Sequence, residues 1–534
     1  MNRRLGWHRR GLLFGALFAL AMAVSIAAVV QATTFMPDRQ VAQRLSFPVS
    51  PSAFPVAAGD TIADRVLGQM DFVHATQNFA TASTFDFFFA RPGVAVAIDQ
   101  SSVPNHVYVA DFRNNRVLGW ASAAALTNGK AADLVIGQPD FFSTTCNNGG
   151  VSASSLCGPV AVAVDGSGNL YVADNSNNRV LEYNTPFIKT GEPGSGDRIA
   201  DEVFGQEENF TASLCNQGAG TFVMGVASSS TLCGPAGITV DSTGVLYIAD
   251  QLNNRVLEFL LPSVDTTADA VFGQGGHFNT TKCDNGGISK NSLCAPVGLA
   301  ADSSNNLYVA DEENSRVLEY NHPPANDTTA DEVFGQGVSF ITALCNGGGA
   351  TPTAKTLCGP TGVALDATGR LYVADERNSR VLEYATPATS ATAIKVFGQG
   401  GSMTTAKCNL SGTVDANGLC RPGGLSLDTS GNLYVTDDVN NRVLRYNSAA
   451  IGNTTADVVL GQPDFAHSDP NAVDASAFGS GAGLAMAGTV DITALGTVAI
   501  DNSTGRLYVA DTNNNRVLGF NNAASFANGA PRTS

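Results

Sequence analysis

The chain has 534 residues, 44% apolar and only 14% charged, with 56 glycines and a formal net charge of −17. Few charges and abundant glycine exclude a coiled coil or a helical bundle and favour short strands joined by turns. The acidity excludes nucleic acid as a partner, because a phosphate backbone is repelled by an acidic body.

The N-terminus reads MNRRLGWHRR, followed by the apolar run 11–30 and then by Gln31 and Ala32. A basic end, an apolar core and a small-residue site make an export signal. A run of about 20 apolar residues is also long enough to span a bilayer. Residues 1–32 are therefore read as a signal peptide or as an N-terminal membrane anchor through 11–30. In both cases the body is extracytoplasmic, either secreted or tethered by that segment. Residues 33–59, with Pro37, Pro48, Pro51 and Pro55, read as a linker.

From residue 60 onward the chain repeats itself. VYVADFRNNRVLGW at 107–120 returns as LYVADNSNNRVLEY at 170–183, LYIADQLNNRVLEF at 246–259 and LYVADEENSRVLEY at 307–320. It returns again as LYVADERNSRVLEY, LYVTDDVNNRVLRY and LYVADTNNNRVLGF. Self-similarity at a long period marks a solenoid, an array or a propeller. Each unit holds four strand candidates; in the second complete unit they are 160–164, 169–174, 179–183 and 201–206. Asp, Asn and Gly between them predict tight hairpins. Four antiparallel strands repeated radially describe a β-propeller blade.

The ends predict how the ring closes. Residues 64–69, DRVLGQ, are a fourth strand with no blade before it, and the last unit stops after RVLGF at 516–520. Placing 64–69 beside 516–520 completes seven blades and removes two exposed edges. The fold expected is all-β: a seven-bladed β-propeller of four-stranded antiparallel blades over 60–521, with a C-terminal tail at 522–534.

The Gly-Pro before strand one, the VAVD–GN turn, the YVAD strand and the N-x-R or N-N-R start of strand three resemble the NHL repeat family. The chain departs from that pattern in two ways. NHL propellers commonly have six blades, and their repeats are shorter than the 61 to 76 residues between successive YVAD aspartates here.

The surplus lies mostly between each Gly-Gln and the next Gly-Pro, and it holds all ten cysteines. They fall in pairs within single inserts: Cys146 with Cys157, Cys215 with Cys233, Cys283 with Cys294, Cys345 with Cys358, and Cys408 with Cys420. An even count, local placement and an export signal predict five local disulfides. No C-x-x-C spacing supports metal binding through these thiols. The inserts of blades one and seven, 70–91 and 463–495, lack cysteine. Because strands alternate in direction, the inserts should share an end of the propeller with the D-x-x-N-x-R turns, and loops on a rigid scaffold are a usual binding site. Shielding of strand ends is the other role open to them.

An aspartate and an arginine recur five residues apart in every unit: Asp111 and Arg116, Asp174 and Arg179, Asp250 and Arg255, Asp311 and Arg316, Asp375 and Arg380, Asp437 and Arg442, Asp511 and Arg516. The expected role is structural, an ion pair closing each hairpin with the aspartate also capping turn amides. The aromatic after each Gly-Gln (Phe72, Phe141, Phe210, Phe278, Phe340, Phe465) is expected to pin its insert. The histidines (His8, His74, His106, His277, His322, His467) fall on unrelated repeat positions. The family includes zinc-dependent lyases that use histidines from several blades, but no histidine here matches a shared position, so no ligand carries over. No D-x-D-x-D-G loop supports Ca²⁺. No cofactor and no catalytic residue is assigned, with Ca²⁺ or Zn²⁺ left open as the alternative, and a monomer is expected. The leading expectation is a binding or scaffold module that holds a protein, peptide or glycan. A metal-dependent propeller enzyme with an axial site and a membrane-anchored surface or adhesion component stand as alternatives.

Overall fold

The computed structural model describes residues 63, 65–67, 81, 95–127, 130–187, 196–218, 225–321, 327–452, 454–462, 464–468, 497–512 and 516–521. The apolar run 11–30, the linker 33–59 and the tail 522–534 lie outside them, as do the cysteine-free insert 70–91 (Thr81 apart) and most of 463–495.

Seven four-stranded antiparallel sheets form the propeller. Blade two shows the plan, with strands at Pro159–Val164, Leu170–Asp174, Arg179–Tyr183 and Glu202–Phe204 paired in that order. Asp165 makes the first hairpin tight: its Oδ1 accepts from the amides of Ser167 at 2.8 Å and Asn169 at 2.9 Å. A 3-10 turn at Asn175–Asn177 makes the second, and Asn178 leaves it with φ 54°. Asparagine tolerates this left-handed conformation, which explains the N-N-R signature.

The outer strand is shorter than its sequence suggested, three residues instead of six. The glycine of Gly-Gln ends it. Gly205 takes φ +92°, and a Cβ there would stand 2.5 Å from Leu232 of the following insert. Beyond it Gln206 makes one isolated bridge to Thr231.

The closure forms as the sequence predicts, over a shorter span. Residues Arg65–Leu67 pair antiparallel with the strand Arg516–Phe520, Val66 opposite Leu518, and complete blade seven as its outer strand. Val66 and Leu67 are fully buried.

The core is a set of seams between successive blades. Along RVLEY of blade two, Val180 packs toward blade three while Leu181 and Tyr183 pack toward blade one. Both faces of this strand therefore carry apolar side chains into a seam, as a sheet covered on two sides requires. The seams repeat in detail: the outer-strand phenylalanine of one blade meets the last aromatic of strand three in the next edge-on. Examples are Phe204 with Phe259 at 4.9 Å, Phe272 with Tyr320 at 4.7 Å and Phe334 with Tyr384 at 4.9 Å.

Candidate functional site: the tethered inserts

Five disulfides join the cysteines within their inserts, Cys146–Cys157, Cys215–Cys233, Cys283–Cys294, Cys345–Cys358 and Cys408–Cys420, closing separations of 11 to 18 residues. The second cysteine of each pair is placed by the recurring aspartate. Asp174 Oδ1 accepts from the Cys157 amide at 2.7 Å, and Asp250 from the Cys233 amide at 2.6 Å. Asp311, Asp375 and Asp437 do the same for Cys294, Cys358 and Cys420. The aspartates were expected to cap turn amides, and this is corrected: they make no cap hydrogen bond to the 3-10 turns. Their Oδ1 is taken by the cysteine amide and their Oδ2 by side chains.

That second oxygen meets the arginine. The Nε–Oδ2 distances are 2.7 Å for Arg116–Asp111, 2.8 Å for Arg179–Asp174 and 2.7 Å for Arg255–Asp250, Arg316–Asp311, Arg380–Asp375 and Arg442–Asp437. Arg516–Asp511 repeats it at 2.6 Å. These pairs are buried, where an ion pair is tolerated only if its remaining polar atoms are satisfied. They are. Asn177 Nδ2 donates to Asp174 Oδ2 at 2.7 Å. Arg179 Nη1 donates to Phe210 O of the following insert at 2.7 Å, and Nη2 to Ser152 O and Ser155 O of the preceding one at 3.0 and 2.7 Å. Each hub thus fastens two successive inserts. Burial pushes the aspartate carboxyls up, Asp311 to about 6, against the pull of the arginine and the cysteine amide.

Two further fasteners went unread in the sequence. The glutamine of Gly-Gln reaches back to the 3-10 turn of its own blade and forward to its insert: Gln206 Nε2 donates to Asn178 O at 2.7 Å and Leu214 O at 3.2 Å. The residue after the first cysteine trades amide hydrogen bonds with the turn asparagine, Asn147 with Asn177 at 2.8 and 2.7 Å and Asn216 with Asn253 at 2.9 and 2.8 Å. Recurrence of Asn after Cys was the signal for this pair.

The inserts share an end with the D-x-x-N-x-R turns, as strand alternation requires, and also run along the rim between blades. The amide before each outer strand donates into the preceding insert, Ala200 to Ala153 O and Ala268 to Ser229 O at 2.9 Å, and Ala330 to Lys290 O at 3.1 Å. Every cysteine-bearing insert therefore bridges consecutive blades. Phe141, Phe210, Phe278, Phe340 and Phe465 are partly buried against the seams. Phe72 lies outside the described residues.

Several apolar side chains on these fastened loops face solvent. Phe142 is 71% exposed, Val226 77%, Ile341 75% and Leu344 62%. Among the described residues one group could share a metal ion by proximity, Cys283, Asp284 and Cys294. Its two sulfurs are bonded to each other, so no thiolate is free to ligate. The histidines stand apart. His106 is buried against Asp99 at 2.8 Å and Phe187 at 4.5 Å, His467 pairs with Asp464 at 2.7 Å, and His277 is exposed. His8, His74 and His322 lie outside the described residues.

A ring of four-stranded blades with recurrent Asp–Arg hubs is a repeat propeller, and the family model for the NHL repeat matches six of its units, at 156–183, 232–259, 293–320, 357–384, 419–446 and 496–520. The chain belongs to the NHL-repeat propellers. Blade one lies outside those matches; its first hairpin is longer, from Asp99 to His106. Teneurin-3 of Danio rerio is 26% identical over 308 residues, 54% of this chain and 10% of that protein. The chain thus spans about a tenth of that relative. Among solved structures, a streptogramin B lyase aligns with 11% identity and TM-score 0.44 over 82% of this chain and 95% of the other. A Staphylococcus aureus virginiamycin B lyase with quinupristin aligns with 12% identity and TM-score 0.43 over 80% and 95%.

Proposed function

We propose that this NHL propeller is a non-catalytic binding module that works outside the cytoplasm and holds a protein, peptide or glycan against its cysteine-bearing inserts. The observation that carries the reading is the exposure of Val338, Ile341 and Leu344 on one disulfide-tethered insert, at 55%, 75% and 62%. Apolar side chains on loops already fixed by a disulfide and a buried ion pair lose little entropy on binding, which favours recognition. Five disulfides support an oxidising compartment, secreted or at a cell surface.

The test is a selection of displayed peptides and a glycan panel against the wild-type chain, repeated with Val338→Ser/Ile341→Ser/Leu344→Ser. Ligands of the insert should bind the variant at least about tenfold more weakly, since each loses a buried apolar contact of ~1 kcal/mol or more. Ligands that bind both proteins equally would place recognition elsewhere.

A further inference from the structure

The RVLEY strands put a glutamate into four consecutive blades: Glu182, Glu258, Glu319 and Glu383. All four are fully buried. Two of them have acidic surroundings. Glu182 stands between Tyr171 of strand two and Glu202 of the outer strand. The Tyr171 hydroxyl donates to Glu182 Oε1 at 3.3 Å, while Oε2 has no hydrogen-bond partner among the described residues. Asp165 of the first hairpin and Asp201 before the outer strand add negative charge. On that side of the strand, blade three presents the apolar groups Phe259 and Ala268.

Glu319 repeats the arrangement. Tyr308 donates to Oε1 at 2.9 Å, Oε2 has no hydrogen-bond partner among the described residues, Glu332 stands opposite, and Asp302 and Asp331 lie near. Blade five presents Tyr384, Ala391 and Ala393. No ion pair to either carboxyl occurs among the described residues. Glu383 differs, with Arg370 Nε at 3.6 Å and Lys395 Nζ at 3.9 Å.

A buried carboxylate needs donors on both oxygens or a countercharge. A single tyrosine hydroxyl facing a second carboxylate supplies neither. The neutral acid fits, with the proton on the oxygen that lacks a donor. We propose that Glu182 and Glu319 are held as neutral acids in the folded propeller and form a pH-responsive pair of seams, where ionisation loosens blade two from three and blade four from five.

Burial pushes both carboxyls up to about 7, with the tyrosine hydrogen bond opposing and the neighbouring carboxylates reinforcing. The unfolded chain releases these protons near the ordinary value of 4.5. Folding therefore takes up protons between the two values. Their stabilisation is complete below about pH 4.5, is lost as pH rises toward about 7, and is absent above.

Glutamine is the neutral isostere of the protonated side chain, so Glu182→Gln/Glu319→Gln in the full chain should remove the response. Chemical unfolding of both proteins from pH 5 to 8 is expected to show the variant's unfolding constant depending less steeply on pH, by close to two decades per pH unit near pH 6. Identical pH dependence in the two proteins would overturn the proposal. If the variant does not fold, wild-type protein labelled with 13C-glutamate decides the matter by infrared spectroscopy. Burial pushes the Glu383 carboxyl up to about 7 as well, so a protonated-carboxyl band at pH 6 that is gone by pH 8.5 and persists in labelled Glu383→Gln supports the proposal, and no such band in that variant at pH 6 refutes it.

Discussion

Blades one to six and the seam that joins blade seven to blade one are held by different means. At the five junctions from blade one to blade six, a disulfide-tethered insert bridges neighbours through the same Asp–Arg hub, the same glutamine and the same turn. At the closing junction the hub recurs without a disulfide, Arg116 Nη2 donating to Thr81 O at 3.1 Å, and non-repeating side chains add further bridges. Asn105 Nδ2 donates to Asp501 Oδ1 at 2.7 Å and to Ser503 Oγ at 2.8 Å. Arg506 Nη1 donates to Ala123 O at 2.9 Å. Arg65 of the closing strand donates to Leu126 O and Asn521 Oδ1. A covalent loop can fasten blades that follow one another in the chain, but joining the first blade to the last requires pairing across the whole sequence. The chain does this with one strand, the apolar seam that strand completes and polar contacts, with no disulfide-tethered insert, so the closure should be a weak point of the ring.

The largest effect is therefore expected from deleting residues 60–69. Val66 and Leu67 leave full burial, costing ~3–6 kcal/mol together at roughly 1.5–3 kcal/mol each. The strand Arg516–Phe520 becomes an open edge. Urea unfolding should show the whole propeller destabilised, while an unchanged midpoint would mean the ring does not depend on this strand.

The closure was legible because its signal is a matched deficit: a fourth strand at 64–69 and a last blade without one. The hubs were legible as pairs, since Asp and Arg recur five apart in every unit. Their second function was not. That Asp174 binds the Cys157 amide follows from the insert folding back 17 residues, a contact that no local spacing encodes. The buried glutamates were hidden for the opposite reason. In sequence RVLEY reads only as a strand, with no side assigned to Glu182, and the packing of blade three over that face buries it.

The hubs should respond almost as strongly as the closure, though at the repeated junctions. Asp250→Ala leaves Arg255 buried without its countercharge, with an expected cost of about 3–5 kcal/mol. It also frees the Cys233 amide. Asp250→Ala/Arg255→Met removes the stranded charge and should recover part of that loss. Denaturant unfolding of the three proteins tests this. If the double variant is no better than the single, the cost lies in the cysteine amide and the arginine's carbonyl bonds, not in the unpaired charge.

The disulfides should matter least, although they are covalent crosslinks. Replacing Cys215 and Cys233 by serine opens a separation of 18 residues, for which the chain-entropy model gives ~3 kcal/mol. That cost acts through the unfolded chain, while in the folded protein other bonds hold the loop. The Cys233 amide is held by Asp250, Asn216 by Asn253, and Ser228 O and Thr231 O by Arg255 at 3.0 and 2.7 Å. Serine keeps every one of these bonds. The native insert therefore survives, and the variant loses only the constraint on its unfolded state. Faster amide exchange should appear in 207–232 while the neighbouring strands stay protected. Exchange that spreads to both adjoining blades would show instead that the covalent bond, and not the buried hub, fastens them.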